Sequence, residues 1–599
     1  MESDKKMRRK TQKVNGKHFT LKSFMVCLSF FVFLLFVSSE RSFIAGGSFR
    51  PVIKVPSLSL FPSRLIRDSY RSSLPLLSIE ARVVFPDDLL VILSRKVQSG
   101  DNIGCIYRKM SNSSTGNGMG EIEGEVVKPP ISVEDYQEVK SVVRCPLPPV
   151  NCSAAVELRW MSENLVPNVG YGERLKDNWT EVSVPSWDRL VYEAMLDRNT
   201  AVVFVKGLNL RPHVESNPRQ FRCHFRLNNF DKEDEGYVIS TRAITASQEV
   251  IRCLLPRSIQ KSPEKAVGIR VTISRFYGDR TGTRRNNYMP SAAKIYDSKS
   301  YKSSRRWKYE ICGCTMLWNQ APFLREWITY HGWLGVERWF IYDNKSDDEL
   351  NEVVEELNLQ NYNISRHAWP WIKAQEAGFS HCAMRARDEC KWVAFFDVDE
   401  FFFFPRRRGQ LLSGKNSLRN MVANYTKSPT IGEIRTVCHS YGPSGLSAAP
   451  PQGVMAGYAC RLQAPERHKS IVRTDFIDTT LLNAVHHFKL RQGYRYVNLP
   501  ESTGVVNHYK YQAWDTFKTK FFRRVSTYVV NWQEDENQGS KDRAPGLGTE
   551  AIEPTDWRFR FCELWDTGLK DFISANFADP ATGTFPWERS RSTSHLLGK

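Results

Sequence analysis

Between residues 307 and 400, short apolar runs alternate with longer stretches whose apolar residues have helical spacing. Strands joined by helices of this length form right-handed βαβ units and a mostly parallel sheet. This alternation predicts an α/β domain of the Rossmann type. The predicted helices are Ala321–Gly335 and Gln375–Cys390, and the predicted strands are Arg338–Tyr342, Asn363–Ala368 and Trp392–Phe396.

Polar residues follow two of the predicted strands. Asp343 and Asn344 come after one, and Asp397, Asp399 and Glu400 come after another. Ligands of parallel α/β sheets bind at the carboxyl ends of the strands. The sequence therefore predicts a functional site at this edge, with Asp343 and Asn344 as candidates for contact with the ligand.

The acidic run follows the strand Trp392–Phe396, whose sequence WVAFF is typical of a strand buried on both faces. Carboxylates spaced as D-x-D suit a hard divalent cation, Mg²⁺ or Mn²⁺, that completes its coordination with substrate phosphates. Asp397 and Asp399 are thus candidate metal ligands and catalytic residues. The alternative is a solvated acidic turn.

A histidine from later in the chain is expected to complete the metal site. His508 follows a short apolar strand and is the first choice. His487 lies in an alternating stretch, where a structural histidine is more common, and is the alternative. Lys510, Lys518 and Lys520 follow His508 in a helical run and are predicted to contact a diphosphate.

If the substrate held by the metal reacts with a hydroxyl group, a carboxylate must remove the proton from that hydroxyl. Glu466 is the preferred candidate, and the alternatives are Glu433, Asp475 and Asp478. Glu466 is followed by a basic triplet, residues 467–469, that either holds an anionic ligand or forms a solvated loop.

The amino terminus predicts a membrane anchor. Residues 1–22 form a basic, cytosolic tail, and residues 23–39 are uncharged and apolar, which favours a single transmembrane helix over a cleaved signal peptide. A basic cytosolic flank predicts a type II protein with a lumenal catalytic domain. The short span fits the Golgi membrane. Twelve cysteines beyond Cys27 and six N-x-S/T sequons fit an oxidising lumen and a glycoprotein.

The net charge of +19 favours anionic partners. Lumenal placement argues against nucleic acid and for nucleotide-sugar phosphates or acidic glycans. The sequence leaves a homo-oligomer open.

Before the α/β domain, residues 40–80 are expected to form a stem. Residues 81–290 are expected to form an all-β, sandwich-like domain, which is a candidate for carbohydrate binding. A polar linker at 291–306 leads to the catalytic domain at 307–575, and residues 576–599 form a tail. Cys223 and Cys253 either pair or remain separate thiols. Disulfides are favoured over zinc for the cysteines at 312, 314, 382 and 390.

Three motifs of the chain resemble glycosyltransferase family 92, to which plant β-1,4-galactan synthases belong. They are E-W-x-x-Y-H at 326–331, Y-D-N-x-S at 342–346 and D-V-D-E-F at 397–401. The resemblance implies a GT-A-like fold, a divalent metal, usually Mn²⁺, and transfer from UDP-galactose. It also implies that Asp397 and Asp399 are the metal and ribose carboxylates, that Asp343 faces the nucleotide, and that His508 is the later metal ligand.

The expected function is metal-dependent transfer of a hexose, galactose from UDP-galactose, onto a pectic β-1,4-galactan with inversion. One alternative is the same enzyme with another donor, such as UDP-arabinose or UDP-glucose. Another is a membrane-tethered glycan-binding protein with an inactive transferase-like domain.

Overall fold

The computed structural model describes residues 54–57, 77–98, 100–110, 122–161, 180–211, 213–226, 239–275, 288–297, 307–405, 414–484, 486–520 and 553–588. The predicted tail at 1–22, the anchor at 23–39 and most of the stem lie outside these residues. Among the described helices, none combines the length and the apolar character needed to cross a bilayer.

The described part of residues 54–297 consists of strands and two short 3₁₀ helices, Pro218–Gln220 and Pro263–Ala266. The sixteen strands, numbered along the chain, are β1 Lys54–Ser57, β2 Ile79–Val84, β3 Asp88–Leu93, β4 Ile103–Met110, β5 Ile122–Lys128, β6 Ser132–Tyr136, β7 Lys140–Pro146, β8 Glu157–Trp160, β9 Thr180–Ser183, β10 Val191–Asp197, β11 Thr200–Val205, β12 Glu215–Ser216, β13 Phe221–Arg226, β14 Ile239–Ser247, β15 Val250–Leu254 and β16 Arg270–Arg275.

These strands pair antiparallel in four sheets. A four-stranded sheet, β2-β3-β7-β6, and a three-stranded sheet, β5-β4-β8, share one apolar cluster that includes Leu89, Val91, Tyr107 and Leu158. A seven-stranded sheet has the order β10-β11-β15-β14-β13-β16, with β12 beside β14, and encloses a second cluster. The fourth sheet is the pair of β1 and β9.

The remaining elements form the α/β part of the chain. Its strands are β17 Tyr309–Leu317, β18 Arg338–Asp343, β19 Ile364–Ala368, β20 Cys390–Phe395, β21 Glu400–Phe403, β22 Ile431–Ser440, β23 Cys460–Arg461, β24 Arg467–Arg473, β25 Asn483–Ala484, β26 His487–Phe488, β27 Arg495–Asn498, β28 Val505–His508 and β29 Leu564–Trp565. Its helices are α1 Ala321–Trp333, α2 Leu350–Leu359, α3 Gln375–Ala386, α4 Ser417–Thr426, α5 Val454–Gly457 and α6 Gly568–Asn576, and 3₁₀ turns lie at Thr474–Phe476 and Trp557–Phe559.

A nine-stranded mixed sheet lies at the centre of this part. Its order is β19-β18-β17-β20-β24-β22-β28-β21, with β27 beside β22. The first four strands are parallel and are joined by α1, α2 and α3, so the predicted α/β pattern is confirmed at these elements. The predicted helix at 375–390 is too long, because α3 ends at Ala386 and Cys390 already pairs with Tyr309 in the sheet.

The two faces of the central sheet have different cover. One face packs against α1, α2 and α4. The other packs against α3 and against the β-rich part, because Tyr192 and Phe204 belong to the same apolar cluster as Trp369 and Trp371. The β-rich part therefore shares a core with the α/β part, and its independence as a domain stays a prediction.

Two predicted segments pack more closely than expected. Residues 288–297 pair with the seven-stranded sheet, and Ala293 and Ile295 are buried there, so the first part of the predicted linker is integrated into the fold. At the other end, Phe585 and Trp587 join the core on the α1 side, within the predicted tail.

Five disulfides connect described strands and loops, and they pair Cys105 with Cys145, Cys223 with Cys253, Cys312 with Cys390, Cys314 with Cys382, and Cys460 with Cys562. The zinc alternative for Cys312, Cys314, Cys382 and Cys390 is wrong, because all four sulfurs are in disulfide bonds.

Candidate active site

The acidic run forms a tight turn between two strands. β20 ends at Phe395, and β21 begins at Glu400 and pairs antiparallel with β28. The Glu400 side chain folds back on the turn, because its Oε2 accepts the Asp397 N–H at 2.9 Å. Tyr509 donates its N–H to the Asp399 carbonyl at 2.9 Å. These hydrogen bonds fix the Glu400 carboxylate and the main chain of the turn that carries Asp397 and Asp399.

Asp399, Glu400 and His508 form a cluster whose donor atoms lie within 4.8 Å of one another. His508 Nε2 is 3.5 Å from Asp399 Oδ2, and His508 Nδ1 is 3.7 Å from Glu400 Oε1. Two carboxylates and an imidazole fit a divalent cation such as Mn²⁺.

Asp397 stands beside this cluster. Its Oδ2 lies 3.1 Å from Lys469 Nζ and 3.7 Å from His486 Nε2. Lys469 Nζ also lies 2.5 Å from Glu400 Oε1. The three-group cluster thus contains Glu400 beside the predicted Asp399 and His508, whereas Asp397 contacts a lysine and a second histidine. A role of Asp397 as a metal ligand stays a prediction.

The electrostatics of the cluster favour ionised aspartates. Burial raises the pKa of the Asp397 carboxyl, but Lys469 and His486 outweigh burial and hold that pKa below its usual value. For Asp399, Lys520 and His508 outweigh burial in the same way and hold the pKa well below its usual range. Two anionic carboxylates are thus present where a cation would bind.

Lys520 lies in a helical turn at 514–520, and its Nζ is 3.0 Å from Asp399 Oδ2. Lys518 is half-buried on the same turn. Lys510 lies nearer the end of β28, and its Nζ is 3.2 Å from Glu466 Oε2. Two ammonium groups, those of Lys510 and Lys520, therefore flank the carboxylates where an anionic ligand would approach.

Glu466 immediately precedes β24. Ser440 donates its hydroxyl to Glu466, and Ser440 is the register partner of His508. Burial raises the pKa of Glu466, but Ser440 and Lys510 outweigh it and lower the pKa, so the carboxylate is ionised and half-exposed.

The other candidate bases have local partners. Glu433 is buried and paired with Arg435 and His487. Asp475 pairs with Arg473, and Asp478 accepts hydrogen bonds from Thr480. The alternative metal ligand His487 is likewise held by Glu433, at 2.8 Å, so the structure brings His508 and not His487 to the acidic cluster.

Asp343 lies at the end of β18, at the same edge of the sheet as Asp397. Its carboxylate is buried, receives the Arg366 guanidinium at 2.8 Å and accepts the Ser346 N–H at 2.9 Å. Asn344 donates its side-chain amide to the Trp369 carbonyl at 2.7 Å. These contacts order the strand end, and a role of either residue in donor binding stays a prediction.

The sequence did not predict how the E-W-x-x-Y-H residues serve the site. From α1, Trp327 donates its indole N–H to the Glu400 carbonyl at 3.1 Å, and Tyr330 donates its hydroxyl to the Phe402 carbonyl at 2.7 Å. His331 Nε2 accepts the Phe402 N–H at 3.2 Å. Three side chains spaced on one helix thus hold the backbone of β21, which carries Glu400.

Glu326 of the same motif contacts a different element. Its carboxylate is buried and accepts the N–H groups of Val454 and Met455, both at 2.9 Å, at the start of α5. A Cβ at Gly453 would come within 2.6 Å of this carboxylate, and Gly453 also has a φ of +101°. Only glycine fits the turn that Glu326 holds.

Comparison with known proteins agrees with the geometry. The sequence profile of glycosyltransferase family 92 matches residues 308–544. A family 92 protein from Ricinus communis is 63% identical over 597 residues, covering 98% of this chain and 100% of the relative. A galactan β-1,4-galactosyltransferase from Arabidopsis thaliana is 30% identical over 230 residues, covering 34% of this chain and 43% of that protein.

Among solved structures, a mannosyltransferase from Pyrobaculum calidifontis in complex with GDP-mannose and Mn²⁺ aligns with 39% of this chain and 67% of its own, at 12% identity and a TM-score of 0.24. The assignment rests on the sequence relatives, which cover the chain almost end to end. The chain belongs to glycosyltransferase family 92 and is a glycosyltransferase.

Proposed function

We propose that this glycosyltransferase moves galactose from UDP-galactose onto a β-1,4-galactan acceptor, with inversion and with dependence on a divalent cation, Mn²⁺. The observation that carries the proposal is the cluster of Asp399, Glu400 and His508 at the end of the central sheet. The partial similarity to galactan β-1,4-galactosyltransferases supports the choice of sugar and acceptor.

Asp399, Glu400 and His508 would hold the cation, and Asp397 lies beside them. When bound, Mn²⁺ would neutralise the negative charge that develops on the departing diphosphate. Lys520 and Lys510 add positive charge at the same place. A bound cation and these ammonium groups would therefore attract a negatively charged diphosphate to the carboxylate cluster.

Glu466 is the proposed base. The acceptor oxygen forms a bond to the anomeric carbon while the bond from that carbon to the diphosphate oxygen breaks. The hydroxyl proton passes to the Glu466 carboxylate, and attack opposite the leaving group converts the α-linked donor into a β-linked product. Lys510 and Ser440 fix the carboxylate in position before the reaction, so little reorganisation is needed.

The test uses the purified full chain with a panel of UDP-sugars, Mn²⁺ or a chelator, and β-1,4-galacto-oligosaccharides, with products measured by mass. We expect elongation by galactose that the chelator abolishes. Asp399→Asn should lower the rate at least about 100-fold. The control Glu352→Gln, at an exposed carboxylate on α2, should retain wild-type activity.

Other outcomes distinguish the alternatives. Elongation by arabinose or glucose would keep the enzyme class and replace the donor. Retention of galactan without transfer from any donor would favour a glycan-binding protein with an inactive transferase-like domain.

We also propose that the protein is a type II Golgi membrane glycoprotein with a lumenal catalytic domain. Five disulfides among the described residues support an oxidising compartment. The sequon at Asn151 is exposed, whereas the Asn344 amide is bonded to the Trp369 carbonyl. Asn151→Gln should therefore remove a glycan that glycosidase digestion detects, and Asn344→Gln should not. A chain without any glycan would contradict lumenal placement.

A further inference from the structure

Trp565 is an exposed tryptophan, whereas most other tryptophans that the structure describes are buried or half-buried. Its side chain is 65% exposed, and Phe559, six residues earlier in the chain, is 63% exposed. Glu563 and Thr567, on either side of Trp565, are exposed and polar. An aromatic surface bordered by polar residues is a feature of ligand sites, and one this small is well below the area of a stable protein interface.

Strand pairings and one isolated bridge connect Trp565, in the two-stranded sheet of β23 and β29, to the central sheet that carries the candidate active site. Ser440 lies opposite His508, the next residue Tyr441 bridges to Arg461, and Cys460 lies opposite Trp565. Three strand spacings across the sheets and two one-residue steps along the strands place the Trp565 backbone roughly 16 Å from that of His508. This is a distance that a few sugar residues of one chain can span.

A second route of contacts starts at the proposed base. The Tyr511 hydroxyl lies 3.5 Å from Glu466 Oε1, and the Tyr511 ring stacks on Phe561 with centroids 3.7 Å apart and planes inclined by 10°. Phe561 leads through Cys562, which is bonded to Cys460, to the strand that carries Trp565. Aromatic side chains thus continue from Glu466 toward the exposed ring.

The backbone at Phe561 is strained. Its φ is +58°, in the left-handed region that large aromatic residues rarely occupy. The stacking on Tyr511 and the neighbouring disulfide hold this conformation. Such strain concentrates at functional sites, which is a second reason, independent of exposure, to assign a role to this segment.

We propose that Trp565 stacks on a sugar ring of the acceptor, a few residues from the end that is extended, and so forms an acceptor subsite. An indole presents a flat apolar face with a polar edge, which matches a pyranose ring whose face is apolar and whose rim carries hydroxyls. This inference rests on the proposed function, because it takes the acceptor to be a galactan chain whose terminal hydroxyl lies at Glu466.

The subsite predicts a dependence on acceptor length. A short acceptor reaches Glu466 but not Trp565, whereas a long one reaches both. In the full chain, Trp565→Ala should raise KM for long β-1,4-galacto-oligosaccharides about 3- to 10-fold and leave KM for the disaccharide and for UDP-galactose unchanged. Trp565→Tyr, which keeps an aromatic ring, should remain close to the wild type. Leu359→Ala is the control, at an apolar side chain that is 85% exposed on α2.

Affinity electrophoresis in galactan without donor gives a second readout that needs no catalysis, and there Trp565→Ala should be retarded less than the wild type.

If the wild type extends galactan and Trp565→Ala has unchanged KM values at every length and unchanged retardation, the subsite is overturned and the proposed function stands. A change in oligomeric state on Trp565→Ala would identify the surface as an interface between copies and would overturn the subsite. If the wild type is retarded by galactan but transfers no galactose, the proposed function fails, and the retardation of Trp565→Ala still decides the subsite. A wild type that neither binds nor extends galactan would overturn both.

Discussion

The Trp327 indole N–H donates to the Glu400 carbonyl at 3.1 Å. This hydrogen bond connects α1 to β21, the strand that begins with Glu400 of the candidate metal site. Both groups are buried. The helix therefore acts on the site through the backbone of β21, without contributing a side chain to the cluster itself.

Trp327→Phe is expected to weaken Mn²⁺ binding without leaving a large cavity in the core. The variant keeps most of the ring volume but leaves the Glu400 carbonyl without its donor, which costs about 1–3 kcal/mol. We expect a lower thermal unfolding midpoint and about a 10-fold higher Mn²⁺ concentration for half-maximal activity. Trp339→Phe is the control, because Trp339 packs against Trp327 with centroids 4.7 Å apart. Equal Mn²⁺ requirements in the two variants would contradict the role given to Trp327.

Lys469→Met should destabilise the protein in a way that Mn²⁺ corrects. The Lys469 ammonium is the positive group closest to Glu400 and Asp397, and its removal leaves buried carboxylates without a partner, a change that costs about 3–5 kcal/mol in comparable pairs. A bound divalent cation restores positive charge next to Glu400. The thermal unfolding midpoint of the variant should therefore rise more on addition of Mn²⁺ than that of the wild type.

A surface pair provides the control for this measurement. Lys96 lies 2.8 Å from Asp135, and both side chains are about half-exposed, so Lys96→Met should cost less than about 1 kcal/mol with or without Mn²⁺. Equal effects of Mn²⁺ on the wild type and on Lys469→Met would show that the cation does not bind next to Glu400.

Glu326 should make stability depend on pH. Burial raises the pKa of this carboxyl to about 7, although the Val454 and Met455 N–H groups oppose the shift. The folded chain thus binds the proton more tightly than the unfolded chain, in which the pKa of Glu326 is near 4.5. The protonated Glu326 therefore contributes to the free energy of unfolding, and this contribution is complete below the unfolded pKa of 4.5. As the pH rises through about 7, about 3 kcal/mol of that free energy is lost. Glu326→Gln should remove this loss, which thermal unfolding at several pH values measures. A parallel pH dependence in both proteins would contradict it.

Glu466→Gln should lower kcat about 100- to 10,000-fold and leave KM for UDP-galactose nearly unchanged, because the amide cannot take the acceptor proton. Its partners Ser440 and Lys510 make a structural defect a possible confounder, so thermal unfolding of the variant accompanies the kinetics. Asp475→Asn, at a candidate that pairs with Arg473, is the control. Wild-type kcat in Glu466→Gln would move the base to another residue.

The sequence predicted the parts of this site that depend on local pattern. The apolar run at 392–396 marked a buried strand, and the acidic run after it had to lie at the edge of the sheet. His508 was predicted because it follows a short apolar stretch, and the structure shows that this stretch is β28, the strand that pairs with β21. Local pattern also predicted the helix that begins at Ala321, although not its contacts.

The remaining residues of the site depend on strand register, which local pattern does not fix. Ser470 lies opposite Phe395 in the antiparallel pair of β20 and β24, so the preceding residue, Lys469, extends past the end of β20 to the carboxylates. His486 reaches Asp397 through a loop almost ninety residues later in the chain. Neither contact has a signature in the spacing of the sequence.

The most direct test of the metal site is calorimetric titration of the purified full chain with UDP, in Mn²⁺ and in chelator, for the wild type and for Asp399→Asn and His508→Ala. We expect the wild type to bind UDP only in Mn²⁺. Both variants should lose most of this binding, and the Glu352→Gln control should keep it. UDP binding that is equal in Mn²⁺ and in chelator, or unchanged in both variants, would contradict a metal-held diphosphate at this cluster.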